Sequence, residues 1–183
     1  MRVTIYFLFF LPFKIYASDN FNIISQCNNE YETSCDVLRL NGVKKNIILA
    51  GVRSPIIKKI SDDVFYVLSS CGSPCVGHYF FDRNKEDYTN ELIVFDINSG
   101  CIIESDSAGK KIYAKRMFSN NRRTLINLSK IEFDILSSKM NYYSDFNEMS
   151  YFDKAGNLNL IANDYEKILL KKKIINPCGS VKK

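Results

Sequence analysis

The residues best suited to chemistry lie in one short stretch, Ser69-Ser70-Cys71-Gly72-Ser73-Pro74-Cys75-Val76-Gly77-His78, which holds three serines, two cysteines and the chain's single histidine. Cys71, Cys75 and His78 stand at C-x3-C-x2-H spacing, a set of soft and imidazole donors suited to copper or zinc. Ser70, Ser73 or a free cysteine could act as a nucleophile with His78 as its base. That requires the turn to fold back on itself and a third group to orient the imidazole, and the G-x-S-x-G elbow is missing. The preferred reading is simpler. Gly72 and Pro74 make a tight turn, Cys71 and Cys75 staple it, and His78 begins the next strand. On that reading the chain holds no metal, no cofactor and no motif-defined catalytic residue. A hydrolase working through two carboxylates stays open, because such a pair leaves no local signature.

The cysteine spacing resembles the C-x3-C-P motif of exported copper chaperones. Here the proline precedes the second cysteine, and the βαβ pattern of a thioredoxin-like fold is absent.

A second cluster, Lys110-Lys111-Ile112-Tyr113-Ala114-Lys115-Arg116 followed by Arg122-Arg123, is basic. In a strand, Lys111, Tyr113 and Lys115 share a face, which reads as the solvated side of an antiparallel sheet or a surface for an acidic partner. Asp62-Asp63 and Glu86-Asp87 sit in turn-like segments and read as solvated loops. Asn127-Leu128-Ser129 fits an N-glycosylation acceptor, relevant in a eukaryotic source alone.

The compartment is read from the N-terminus. Arg2 precedes a nearly unbroken apolar run from Val3 to Phe13, and Ala17 offers a small residue at a cut site, the layout of a secretory signal peptide. The run is shorter than the about 20 apolar residues a membrane helix needs. The expected organisation is a signal peptide over 1–17 and a single domain over 18–183, periplasmic or secreted, with no stable membrane insertion after cleavage. Arg2 and Lys14 leave with the signal, so the 25 basic residues become 23 against 20 acidic, and the net charge falls from +5 to +3. So mild a charge argues against nucleic-acid binding. An even set of six cysteines, Cys27, Cys35, Cys71, Cys75, Cys101 and Cys178, all beyond the cut, reads as disulfides. Proximity favours Cys27 with Cys35, Cys71 with Cys75, and Cys101 with Cys178.

These residues need a frame, and the sequence predicts a mainly β one, an antiparallel meander forming a small sandwich or barrel-like domain. Asn41-Gly42 between Asp36–Leu40 and Val43–Leu49 is a hairpin signal. Further strand runs are 55–60, 64–69, 78–81, 91–95, 101–104 and 111–114. Tyr151-Phe152 and 158–161 flank another turn. Phe-Asp recurs at 81–82, 95–96 and 152–153 and marks strand ends, where Asp accepts local backbone hydrogen bonds. One short helix is expected over about 130–140, opened by a capping box of Ser129 and Glu132, with Ile131, Ile135 and Leu136 or Phe133 and Met140 on one face. Residues 165–175 fit a strand or a helix, and Lys171-Lys172-Lys173 reads as a solvated edge.

The functional expectation is an exported, disulfide-stabilised protein that binds another macromolecule, in the manner of an inhibitor or immunity protein. Loops on a rigid sheet carry most binding surfaces. The expected site is therefore the 69–78 turn, with Ser69, Ser70, Ser73 and His78, and the 83–90 loop, with Arg83, Lys85 and Tyr88. The runner-up is a metal- or thiol-handling module at Cys71, Cys75 and His78.

Overall fold

The computed structural model describes residues 20–28, 31, 33–72, 75–106, 108–137, 146, 149–164 and 167–179. The signal segment and Ser73 lie outside the described residues, as does Met140. The side chains of Cys71 and Cys75, and so their staple, also lie outside what is described.

The fold is mainly β, with antiparallel sheets and, among the described elements, one short helix. Three meanders follow one another. Strands β1 (Phe21–Cys27), β2 (Cys35–Asn41), β3 (Lys44–Lys59), β4 (Phe65–Gly72), β5 (Cys75–Phe81) and β6 (Glu86–Thr89) form the first sheet in chain order. A four-stranded sheet follows, built from β7 (Leu92–Asp96), β8 (Cys101–Ser105), β9 (Lys111–Arg116) and β10 (Arg122–Asn127). After helix α1 (Lys130–Ser137) comes a three-stranded sheet of β11 (Tyr151–Phe152), β12 (Leu158–Asp164) and β13 (Lys167–Ile174). The ambiguous C-terminal segment is thus a strand, and β1, β6 and β10 add strands to those expected.

Local sequence explains the turns. Asn41 pairs with Lys44, so Gly42 and Val43 form a two-residue loop one position later than expected, with Gly42 at φ 56°. The two runs 43–49 and 55–60 are one long strand, β3. It bends where its partner changes from β2 to β4, with a register shift between Arg53 and Ile56 and with Gly51 and Ser54 at positive φ. Each Phe-Asp pair ends a strand as expected. Asp82 accepts from the Asn84 and Lys85 N–H groups, Asp96 from Asn98 and Ser99, and Asp153 from Ala155 and Asn157. The capping box forms too. The Glu132 N–H donates to Ser129 Oγ at 3.3 Å, and the Ser129 N–H donates to Glu132 Oε2 at 2.8 Å. The inward face of α1 is Phe133 and Leu136, one turn apart, while Ile131 and Ile135 are exposed. The expected Ile131–Ile135 face is corrected accordingly.

The first sheet curls into an open, barrel-like roll. Its inner core of Phe21, Ile23, Val37, Phe65, Val67 and Phe81 comes from that sheet alone. Phe21 of β1 meets Phe65 of β4 edge to face at 5.2 Å. From β2, Arg39 donates to the Lys85 carbonyl and Asn41 to the Arg83 carbonyl, both at 3.0 Å. The other face of the roll packs Tyr66 and Phe80 against Leu92 and Ile102 of the second sheet. The second sheet is the middle layer, because Cys101, Ile103, Ile112 and Ala114 on its far side meet Leu158, Leu160, Ala162 and Leu136. Covered on both faces, β8 buries all five of its residues. The Cys101–Cys178 disulfide ties the C-terminal tail to this layer across 77 residues, and Cys27–Cys35 closes the β1–β2 hairpin.

A cleft between the rolled sheet and the middle layer

Where the open edge of the roll approaches the second sheet, a cleft of about 570 Å³ remains. One wall is aliphatic and aromatic, with Ile48 and Leu49 of β3, Tyr79 and Phe81 of β5 and Tyr88 of β6. Register puts four of the lining groups on one face, since Tyr79 pairs with Tyr88 and Phe81 with Glu86. The Tyr79 and Tyr88 rings pack at a tilt of 33° with centroids 4.7 Å apart, and Tyr79 lies parallel to Phe81 at 6.1 Å. The other wall is polar, formed by Lys115 of β9, the Ser119-Asn120 turn and Arg122 of β10.

Buried charge holds the two walls together. Lys115 Nζ sits 2.6 Å from Asp87 Oδ1 and 3.7 Å from Glu104 Oε2, and Arg122 Nε lies 2.7 Å from Glu104 Oε1. Glu104 is 1% exposed, and although both cations flank it, neither oxygen accepts a hydrogen bond of regular geometry. Asp87 is fully engaged. Its Oδ1 also accepts the Tyr88 N–H, and its Oδ2 accepts the N–H of Phe118, whose φ of 61° marks a tight left-handed turn. Lys115 Nζ reaches the Tyr88 carbonyl at 3.5 Å, so β6 has both polar groups of Tyr88 covered on its outer side. These contacts correct two expectations. Glu86-Asp87 opens a strand instead of a solvated loop, and Lys115 turns to its own carboxylates instead of the solvated face.

Most of the residues marked from sequence lie elsewhere. Ser69 in β4 and His78 in β5 are buried within the ladder. The segment is two strands joined at positions 73–74, not an open loop. His78 Nδ1 is 2.6 Å from the Tyr66 hydroxyl at the interface of the first two sheets. Burial pulls the His78 pKa down to about 4 and pushes that of Tyr66 up to about 12. Ser70 lines a separate hollow of about 380 Å³ with Thr33, Gly51, Val52, Arg53, Ser69 and Tyr79. Arg83 pairs with exposed Asp63 at 3.3 Å and stacks over Phe21, and Lys85 is exposed in the β5–β6 turn. Of the sequence-marked binding residues that are described, Tyr88 alone lines the main cleft. Sequence reasoning missed Tyr79 and Glu104, and it read Asp87, within the expected 83–90 segment, as solvated. The alternation of Tyr79 and Phe81 was the one signal that could have found any of them.

Among the described residues no group of three or more His, Cys, Asp or Glu side chains is placed to hold a metal. Asp87 and Glu104 do not face each other across open space, because Lys115 lies between them. No helix among the described residues is long and apolar enough to cross a membrane. No family model and no curated protein matches the chain.

Proposed function

We propose that this is an exported binding protein that engages another macromolecule, in the manner of an inhibitor or immunity protein, through the cleft and the β5–β6 turn beside it. Two disulfides fit an oxidising compartment, and residues 1–17 supply the export signal. The mature domain is residues 18–183. The observation that carries the reading is Tyr88, 45% exposed and packed at a tilt against Tyr79 at the cleft, with Arg83 and Lys85 on the neighbouring turn. Rigid, half-exposed aromatic groups ringed by polar ones are the usual anchors of protein interfaces.

The deep charges of the cleft are committed to holding β6 against β9. That arrangement fits a preformed binding surface better than a reactive one. The test passes periplasmic or secreted proteins of the source cell over the immobilised, oxidised protein and over its Tyr88→Ala variant. A partner bound by the first and lost by the second, at least about tenfold, supports the reading. Equal retention by both overturns the assignment of this surface.

A further inference from the structure

We infer that the smaller hollow, where β3, β4 and β5 meet, binds a phosphate group. At about 380 Å³ it falls in the size range of small-molecule sites. It is separate from the cleft that carries the functional reading, and Tyr79 is the one described residue that lines both. Its described lining holds one charged side chain, Arg53, and four that carry hydroxyls, Thr33, Ser69, Ser70 and Tyr79. The wall therefore offers a cation and O–H donors, with no carboxylate in the described lining. Asp36, the acid that meets this stretch of β3, lies outside the lining, and its Oδ1 accepts the Gly51 N–H at 3.0 Å.

Three of these donors are uncommitted. Arg53 is exposed, and its guanidinium has no ion pair or hydrogen bond among the described residues. Ser69 is 4% exposed, yet its hydroxyl has no partner among the described residues either. A hydroxyl buried in that way has lost most of its water, so an acceptor entering the hollow restores a hydrogen bond that folding removed. The ladder sets the third donor beside it. Ser69 pairs with Gly77, and Tyr79 shares the Gly77 face two residues along. Because Gly77 has no side chain, the Tyr79 hydroxyl comes within 2.9 Å of the point a Cβ would occupy there. The ring stays against Tyr88 and Phe81 in the cleft, while its hydroxyl makes no hydrogen bond among the described residues. On the other side of β4, Arg53 pairs with Ser70 across the ladder. Donors thus come from three strands. A guanidinium fork takes two oxygens of a phosphate side by side, and the remaining oxygens of the tetrahedron point towards other donors, here the hydroxyls.

The experiment follows the backbone amides of Gly51, Ser69 and Ser70 by NMR. The oxidised protein is titrated with inorganic phosphate, with glycerol phosphate and, at matched ionic strength, with sodium chloride. The expected result is a saturable shift with both phosphates and none with chloride. A tighter response to the ester assigns the site to a phosphorylated molecule, and a tighter response to the inorganic ion assigns it to free phosphate; either bears the inference out. Arg53→Gln, at an exposed position, and Ser69→Ala should each weaken the response about tenfold, and Arg53→Gln should leave the melting temperature unchanged. Shifts that do not saturate, equal shifts with chloride, or an unchanged response in either variant overturn the inference.

Discussion

One buried group should make this protein sensitive to acid, and its share of the loss can be worked out. His78 is the chain's one histidine, and it is buried where the rolled sheet meets the middle layer, with Nδ1 on the Tyr66 hydroxyl. Its ordinary pKa of 6.5 falls to about 4 in the fold because burial disfavours the imidazolium. The unfolded chain therefore takes up a proton near pH 6.5, while the folded chain resists until about pH 4. Stability from this group is complete above about pH 6.5, declines by one proton's linkage as pH falls, and is lost by about pH 4. The difference is roughly 3 kcal/mol. Urea denaturation of the oxidised protein at pH 7.5, 5.5 and 4 measures the decline, and His78→Gln should flatten it because the amide does not titrate in that range. Glu132, held at about 2 by the Lys172 ammonium and the Ser129 contacts, loses its contribution below its ordinary 4.5. Glu91, raised by burial and then by Asp106, acts in the opposite sense. Both are present in both proteins and cancel in the comparison. An imidazole that titrates near 6.5 by NMR in the folded state, or an equal acid slope in His78→Gln, refutes the reasoning.

Three further perturbations have defined outcomes. Lys115→Met leaves Asp87 and Glu104 buried without their shared cation, so urea unfolding should show a loss of about 3–5 kcal/mol. Gly77→Ala sets a Cβ 2.6 Å from Tyr79 Cε2; Tyr79 must turn, and its near-ultraviolet circular dichroism should change with a stability loss of about 1–3 kcal/mol. Replacing Cys101 and Cys178 together by Ser opens a loop of 77 residues and should cost about 4 kcal/mol, read as a lowered melting temperature that reductant does not lower to the same extent as in wild type.

Local signals announced the turns and the strongly patterned strands. The Phe-Asp strand ends, the Ser129–Glu132 box and the Gly42 hairpin each depend on residues within a few positions of one another, so propensity and spacing suffice. Strand β10 was hidden because Arg-Arg-Thr-Leu-Ile-Asn buries Ile126 alone and shows no alternation. Strand β6 was hidden because two acids in four residues read as solvated, until Lys115, 28 positions away, neutralises one of them. The same long-range pairing hid the cleft. Asp87, Glu104, Lys115 and Arg122 come from four strands, and their meeting depends on how two sheets pack, which no window of sequence encodes. His78 misled for the complementary reason: a lone histidine beside serines looks reactive, and here its ring is sealed between sheets with a tyrosine hydroxyl.

The covalent tie between the middle layer and the tail has one more effect. Every peptide bond from β9 through β13 lies inside the loop that Cys101 and Cys178 close. A protease that nicks the chain once anywhere in that span produces two pieces that stay joined, with β12 and β13 still packed on β8 and β9. A single cut then leaves the protein assembled, and release of the C-terminal half requires a reductant or a second cut.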